Sequence, residues 1–328
     1  MLKAQYNSRG PVPQDVIEAV SEDTPKPGSG QVLLEVLAAP INPSDVLTLT
    51  GEYGILPPLP AVGGNEGVGR VAETGDGVSG LDQGQTVLLP VGSGTWSSHV
   101  LAEAKDLVPL PNDADPKQLS MMTINPPTAL LMLQEFVDLK EGDWVIQNAA
   151  NSGVGGYLIR LAAQRGLHTV NVVRRESAVA GVEAQGGDVT LVDGPDLHKR
   201  VKEATGGAEI RLGIDAVGGD ATDHLANCLA AGSPVVNYGM MSGQPCQMSP
   251  ANVVFRDISL RGFWLSRWFS QATRDQQMAI YSEITRQIAS GALKAPIAGE
   301  YDVSDIKQAV AAAASGERDG KILVVPKH

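Results

Sequence analysis

From Trp144 onward the chain alternates short apolar runs with amphipathic stretches, and this alternation restricts the fold more than any other feature. Apolar, β-branched runs fall at 144–148, 169–173, 189–192, 211–216, 234–238 and 258–263. Helical patterns lie between them at 155–165, 177–185, 196–204 and 220–230. Strands joined through helices run parallel, so these runs predict an α/β domain with a doubly wound parallel sheet. The first run leads into Ala149-Ala-Asn-Ser-Gly-Val-Gly155, a turn of small residues ahead of a helix. Such a turn lets the backbone approach a pyrophosphate, which then rests on the helix N-terminus. In the dinucleotide fingerprint register the three glycine positions are Ala150, Ser152 and Gly155, so only the third is kept. An ordinary tight strand-to-helix turn would read the same way.

The second run bears on which dinucleotide. About 20 residues past the last Gly, an NAD site needs Asp or Glu to bond the ribose hydroxyls. Here the run 169–173 ends in Arg174-Arg175, and the nearest carboxylate is Glu176. Two guanidiniums at that point suit a 2′-phosphate, through charge-assisted and potentially bidentate bonds. The pair therefore favours NADPH over a solvated surface pair of arginines.

Residues 31–110 read differently. Val32, Leu34 and Val36 alternate with Leu33, Glu35 and Leu37, and short runs at 67–73, 86–90 and 99–102 are separated by turns such as Gly75-Asp76-Gly77. Helices at 271–290 and 303–315 and a strand at 321–325 close the chain. At 328 residues, two domains are the default. A formal charge of −12 argues against nucleic acid. No apolar run reaches the ~20 residues that span a bilayer, and residues 1–10 lack a signal-peptide core, so no membrane association is expected. The two cysteines, Cys228 and Cys246, form no CxxC, which points to a reducing, cytoplasmic setting. A catalytic zinc needs three ligands. The first 123 residues hold no Cys and only His99, so no metal is expected.

Several segments occur in an order that resembles a known family: Ile41-Asn-Pro-Ser-Asp45, Gly51-Glu-Tyr-Gly-Ile-Leu-Pro-Pro-Leu-Pro60, Ala61-Val-Gly-Gly-Asn-Glu-Gly67, Gly94-Thr-Trp96, Asn125-Pro126, the 147–155 turn, Asn171-Val-Val-Arg174 and Arg261-Gly-Phe-Trp-Leu-Ser266. Together they closely resemble the NADPH-dependent trans-2-enoyl thioester reductases of fatty-acid synthesis, in the medium-chain dehydrogenase/reductase superfamily. The resemblance runs over nearly the whole chain. In the superfamily's zinc branch the segment matching 63–67 carries a His ligand where this chain has Asn65, and a Cys lies near the position of Asn42.

The resemblance implies a Rossmann domain, residues 124–289, inserted in a GroES-like β-rich catalytic domain made of residues 1–123 and 290–328. It implies an active site in the cleft between them. It implies that Tyr53 donates the proton that completes reduction. It also implies that Asn125, Asn151, Ser152, Gly153, Val154, Arg174, Arg175, Tyr238, Gly239, Met240, Met241, Phe263, Trp264, Leu265, Ser266 and Lys321 hold NADPH. Some have plainer readings: Asn125 as a helix cap, Phe263 and Leu265 as a buried strand end, Lys321 as an exposed strand-end charge. Met240 departs from the family's usual Tyr-Gly-Gly-Met. Arg165, Arg267 and Lys105 are candidate contacts for a CoA phosphate or an acidic carrier protein. A homodimer is implied, joined through the sheet edge near 258–263. The expected activity is reduction of an enoyl-CoA or enoyl-carrier-protein double bond. The alternatives are a quinone or small-enone reductase, and an NADPH-binding protein without turnover.

Overall fold

The structure, a computed structural model, describes residues 1–316 and 319–328. The chain forms two compact units, one of Met1–Ile124 with Tyr281–His328 and one of Asn125–Ile280. The second division falls at Ile280 rather than at 289. The later part of the helix Arg274–Ala289 buries Ile284 and Ile288, and its Thr285 Oγ1 donates to Met122 Sδ at 3.7 Å, within the first unit.

The first unit is GroES-like and β-rich. Its larger sheet has seven strands. Gln31–Pro40 lies at its centre, antiparallel to Val68–Thr74, to His99–Glu103 and to Lys321–Val324. Val32, Leu34 and Val36 are fully buried and Leu33 nearly so, which accounts for the two-sided apolar pattern of that strand. A three-stranded sheet, ordered Ile17–Ser21, Leu2–Tyr6, Ala61–Val62, was not anticipated. Its strands are short, and the register of its third member, Gln5 opposite Val62, is set by distant residues.

The second unit is the doubly wound sheet. The strand order is Val189–Val192, His168–Val173, Trp144–Gln147, Ile210–Asp215, Pro234–Asn237, Ser259–Gly262, and all pairings are parallel. The order reverses beside Trp144–Gln147, the topological switch where α/β sheets of this kind bind ligands. Four crossovers carry α-helices: Gly153–Gln164, Val179–Glu183, Leu197–Ala204 and Asp220–Cys228. The fifth carries a single π-helical turn, Ala251–Phe255. The expected helix at 271–290 forms as Arg274–Ala289, and a separate helix, Leu265–Gln271, precedes it. Leu265–Gln271 stops at Ala272, and Thr273 then caps Arg274–Ala289 reciprocally: its N–H donates to Gln276 Oε1 at 2.8 Å and its Oγ1 accepts from Gln276 N at 3.3 Å.

Candidate functional site

In the second unit, the turn after Trp144–Gln147 shows why two glycines of the fingerprint are dispensable. Ala150 is fully buried, with its N–H on Val172 O at 3.1 Å. Ser152 is the N-cap of Gly153–Gln164, its hydroxyl accepting from Gly155 N at 3.1 Å. Gly155 cannot be replaced: a Cβ there would lie 2.4 Å from Ala150 O. Among the described residues the N–H groups of Gly153 and Val154 have no acceptor, so they form an open anion-binding end to the helix. Asn151 is exposed beside them. The residues present therefore fit a dinucleotide pyrophosphate.

The other proposed cofactor residues, apart from Asn125 and Lys321, follow the C-terminal ends of neighbouring parallel strands. Arg174, past His168–Val173, is exposed, and Arg175 is half-buried at the start of a 3-10 turn. Tyr238 N donates to Asp215 O at 2.9 Å, and Met241 N to Ala216 O at 3.1 Å. Between them Gly239 passes so close that a Cβ would meet Ala216 O at 2.7 Å. Burial pushes the Tyr238 hydroxyl upward in pKa. Met240 and Met241 are about half exposed, at 54% and 55%. Phe263 is half-buried, edge-on to Phe136 at 6.2 Å, while Trp264 is exposed. Leu265 and Ser266 open the next helix, so the buried strand end proposed for Phe263 and Leu265 is not what forms. Asn125 is buried as the first residue of Asn125–Glu135. Arg165 Nη1 is engaged by Leu133 O at 2.7 Å; Arg267 is exposed.

In the first unit, Tyr53 follows the helix Pro43–Thr50. Leu47 O accepts from the N–H groups of Gly51, Glu52 and Tyr53 at 3.0, 2.9 and 3.2 Å, and Gly51 supplies the left-handed C-cap. The phenol is half-buried at the start of a loop that exposes Ile55, Leu56 and Leu59. Arg9 Nη2 donates to Pro57 O and holds the loop's far side.

Sequence reasoning missed a buried polar cluster in the same unit. Asn42 Nδ2 donates to Glu66 Oε1 at 2.6 Å, and Asn42 N to Asp45 Oδ2 at 2.7 Å. Asn65 Nδ2 donates to Asp45 Oδ1 at 2.7 Å. Glu66 Oε2 accepts from the N–H groups of Thr123 and Ile124 at 3.0 and 3.1 Å. Lys321 is buried and donates to Asn42 Oδ1, so it is not the exposed strand-end charge that was one reading of it. Burial pushes Asp45 up to about 6 and Glu66 to about 7, partly opposed by the Lys321 charge. Burial, and then the Glu66 charge, pushes Tyr281 to about 12. The signal available was Glu66 in a run of glycines, but its partners lie far off in the sequence.

The comparisons with known proteins follow this geometry. Residues 28–112 match the family "Alcohol dehydrogenase GroES-like domain" and residues 153–281 the family "Zinc-binding dehydrogenase". The cluster does not fit a zinc ion. Asn42 and Asn65 direct their amide N–H groups to carboxylates, and no group of three or more His, Cys, Asp or Glu among the described residues could hold a metal. A curated relative from Caenorhabditis elegans, named mitochondrial enoyl-(acyl-carrier-protein) reductase, is 40% identical over 275 residues, 82% of this chain and 79% of its own. Among solved structures, a putative NADPH:quinone reductase from Bacillus thuringiensis matches with TM-score 0.89 at 27% identity, over 99% of both chains. The Etr1p/NADP/crotonyl-CoA complex matches at 0.87 and 25%, again over 99% of both chains. The Candida tropicalis mitochondrial 2-enoyl thioester reductase Etr1p/Etr2p heterodimer matches at 0.88 and 26%, with the same coverage. With the Rossmann-type sheet, the GroES-like unit and this degree of identity, the chain belongs to the enoyl-(acyl-carrier-protein) reductase family of the medium-chain dehydrogenase/reductase superfamily.

Proposed function

We propose that this chain reduces the C2–C3 double bond of trans-2-enoyl thioesters, as enoyl-CoA or enoyl-acyl-carrier protein, with NADPH. The observation that carries the reading is the 40% identity to a named enoyl-(acyl-carrier-protein) reductase across 82% of the chain. The open N–H groups of Gly153 and Val154 and the exposed Arg174 past the second strand support NADPH as the nucleotide. NADPH, when bound, supplies a hydride for C3. Asn125, Asn151, Ser152, Tyr238, Gly239, Phe263 and their neighbours are proposed to hold it, and Lys321 to act through Asn42 rather than by direct contact.

Negative charge that collects on the thioester oxygen must be met by hydrogen-bond donors, and C2 must gain a proton. A phenol keeps its proton at neutral pH, and Tyr53 is the proposed donor. Tyr53→Phe is expected to lower kcat on crotonyl-CoA by roughly 10²–10⁴-fold, as for loss of a general acid. An undiminished kcat in stopped-flow NADPH oxidation would remove Tyr53 from the reaction.

The match to a quinone reductase keeps a second reading in view, reduction of a quinone or small enone on the same scaffold. The chain is also proposed to work as a homodimer. Ser259–Gly262, the outer strand of the parallel sheet, is exposed at every residue, and Val254 and Phe255 beside it are 69% and 84% exposed. The Candida tropicalis 2-enoyl thioester reductase is an Etr1p/Etr2p heterodimer. An acidic carrier protein as substrate donor is part of the same proposal. No helix among the described residues is long and apolar enough to cross a membrane. The C. elegans relative is named mitochondrial. Both that compartment and the cytoplasm suit two free cysteines, and imaging of the tagged chain decides between them.

A further inference from the structure

Asp215, the last residue of Ile210–Asp215, is fully buried, yet among the described residues no cation is bonded to its carboxylate. Neutral donors surround it instead. Oδ1 accepts from Asn148 Nδ2 at 2.6 Å, Val217 N at 2.9 Å and Gly218 N at 3.0 Å. Oδ2 accepts from Thr222 Oγ1 at 2.7 Å and Asn237 Nδ2 at 3.1 Å. Burial pushes the carboxyl upward in pKa, but these donors outweigh it and hold it below the usual range.

Asn148, the 217–218 turn and Asn237 lie at three adjacent strand ends, Thr222 lies on the helix Asp220–Cys228, and the network continues outward. Asn148 Oδ1 accepts from Ala216 N at 2.7 Å, and Asn237 Nδ2 also donates to Gly239 O at 2.9 Å. The turn 216–219 then carries the loop 238–242: Met241 N donates to Ala216 O at 3.1 Å, and Ser242 N to Val217 O at 2.9 Å. One carboxylate therefore sets the backbone of both turns at the C-terminal edge of the sheet, on the side away from Arg174. A core that only needed filling would accept an apolar residue here. Six donors, with the Cys246 thiol at 4.0 Å from Oδ2 as the sixth, converge on one charge and fix direction as well as volume.

We propose that Asp215 is a positioning residue for the nicotinamide half of the cofactor: it orients the turns 216–219 and 238–242 and so sets the hydride-transfer geometry. This rests on the NADP(H) reading given above. Asp215→Asn keeps the size but turns an amide N–H toward donors on one side, leaving them unpaired.

The test compares affinities for NADPH and for adenosine 2′,5′-bisphosphate, which has the adenine half and 2′-phosphate but no nicotinamide. In folded Asp215→Asn the bisphosphate Kd is expected to stay within twofold of wild type. The NADPH Kd is expected to rise tenfold or more. The primary isotope effect with 4-deuterated NADPH is expected to rise as hydride transfer becomes rate-limiting. Equal effects on both ligands, or none on either, would overturn the proposal. If Asp215→Asn does not fold, Thr222→Val, which removes one donor and keeps the shape, is read by the same split, with the same outcomes counting for and against. Wild-type turnover of crotonyl-CoA is measured first. A wild-type chain that binds NADPH but does not reduce crotonyl-CoA sinks the substrate reading, while the affinity split still judges Asp215.

Discussion

Glu66 and Asp45 are acids held where a charge is poorly hydrated, and their neighbours only partly make up for it. Glu66 accepts from Asn42 and from the N–H groups of Thr123 and Ile124, with Lys321 close enough to favour its ionised form. The net result is a carboxyl raised from 4.5 to about 7. The sign of the pH effect follows. Between those values the folded chain keeps a proton that the unfolded chain has released, so stability from this group is full below about 4.5 and is lost as pH climbs through 7. Asp45 acts in the same direction, between 3.8 and about 6. Glu66→Gln is therefore expected to flatten the fall in urea midpoint between pH 5 and about pH 7.5. An unchanged slope in the variant would show that Glu66 does not titrate in this window. This cluster was the least legible part of the sequence. Asn42, Glu66 and Lys321 meet only after the strands Gln31–Pro40 and Lys321–Val324 pair, and no local pattern announces that.

At the scale of elements, the parallel sheet was legible because each strand is a short β-branched run bounded by a helical period. All six strands form where that alternation placed them, to within a residue or two at their ends. Two features were not. The helix expected at 271–290 forms, but it starts at Arg274, where Thr273 and Gln276 cap it, and the short helix Leu265–Gln271 before it was not read. The strands Leu2–Tyr6 and Ile17–Ser21 are too short for their alternation to stand out, and pairing across the chain decides them. The outer strand Ser259–Gly262 carries a consequence of its own. It leaves one ladder of backbone groups unpaired, and Leu260 is 44% exposed. Leu260→Lys places a charge on that edge and is expected to convert a two-chain particle to a single chain in light scattering. A wild-type chain that is already monomeric at micromolar concentration would contradict the dimer.

For the molecule as a whole, the nucleotide half of the candidate site was the more legible. The turn 149–155 and the Arg174-Arg175 pair carry their chemistry in consecutive residues, and each lies at the C-terminal end of a parallel strand. The substrate half was not. Tyr53 sits in a Gly- and Pro-rich loop with no periodicity to mark it, and the role proposed for it rests on a resemblance rather than on spacing. The central claim, an NADPH-dependent enoyl thioester reductase, is tested most directly by one set of rates: kcat/KM for crotonyl-CoA with NADPH, beside crotonyl-CoA with NADH and p-benzoquinone with NADPH. The account predicts the first to exceed both of the others by at least about tenfold, a difference of ~1.4 kcal/mol in transition-state stabilisation. A preference for NADH would contradict the reading of Arg174 and Arg175, and a quinone rate above the crotonyl-CoA rate would contradict the thioester assignment.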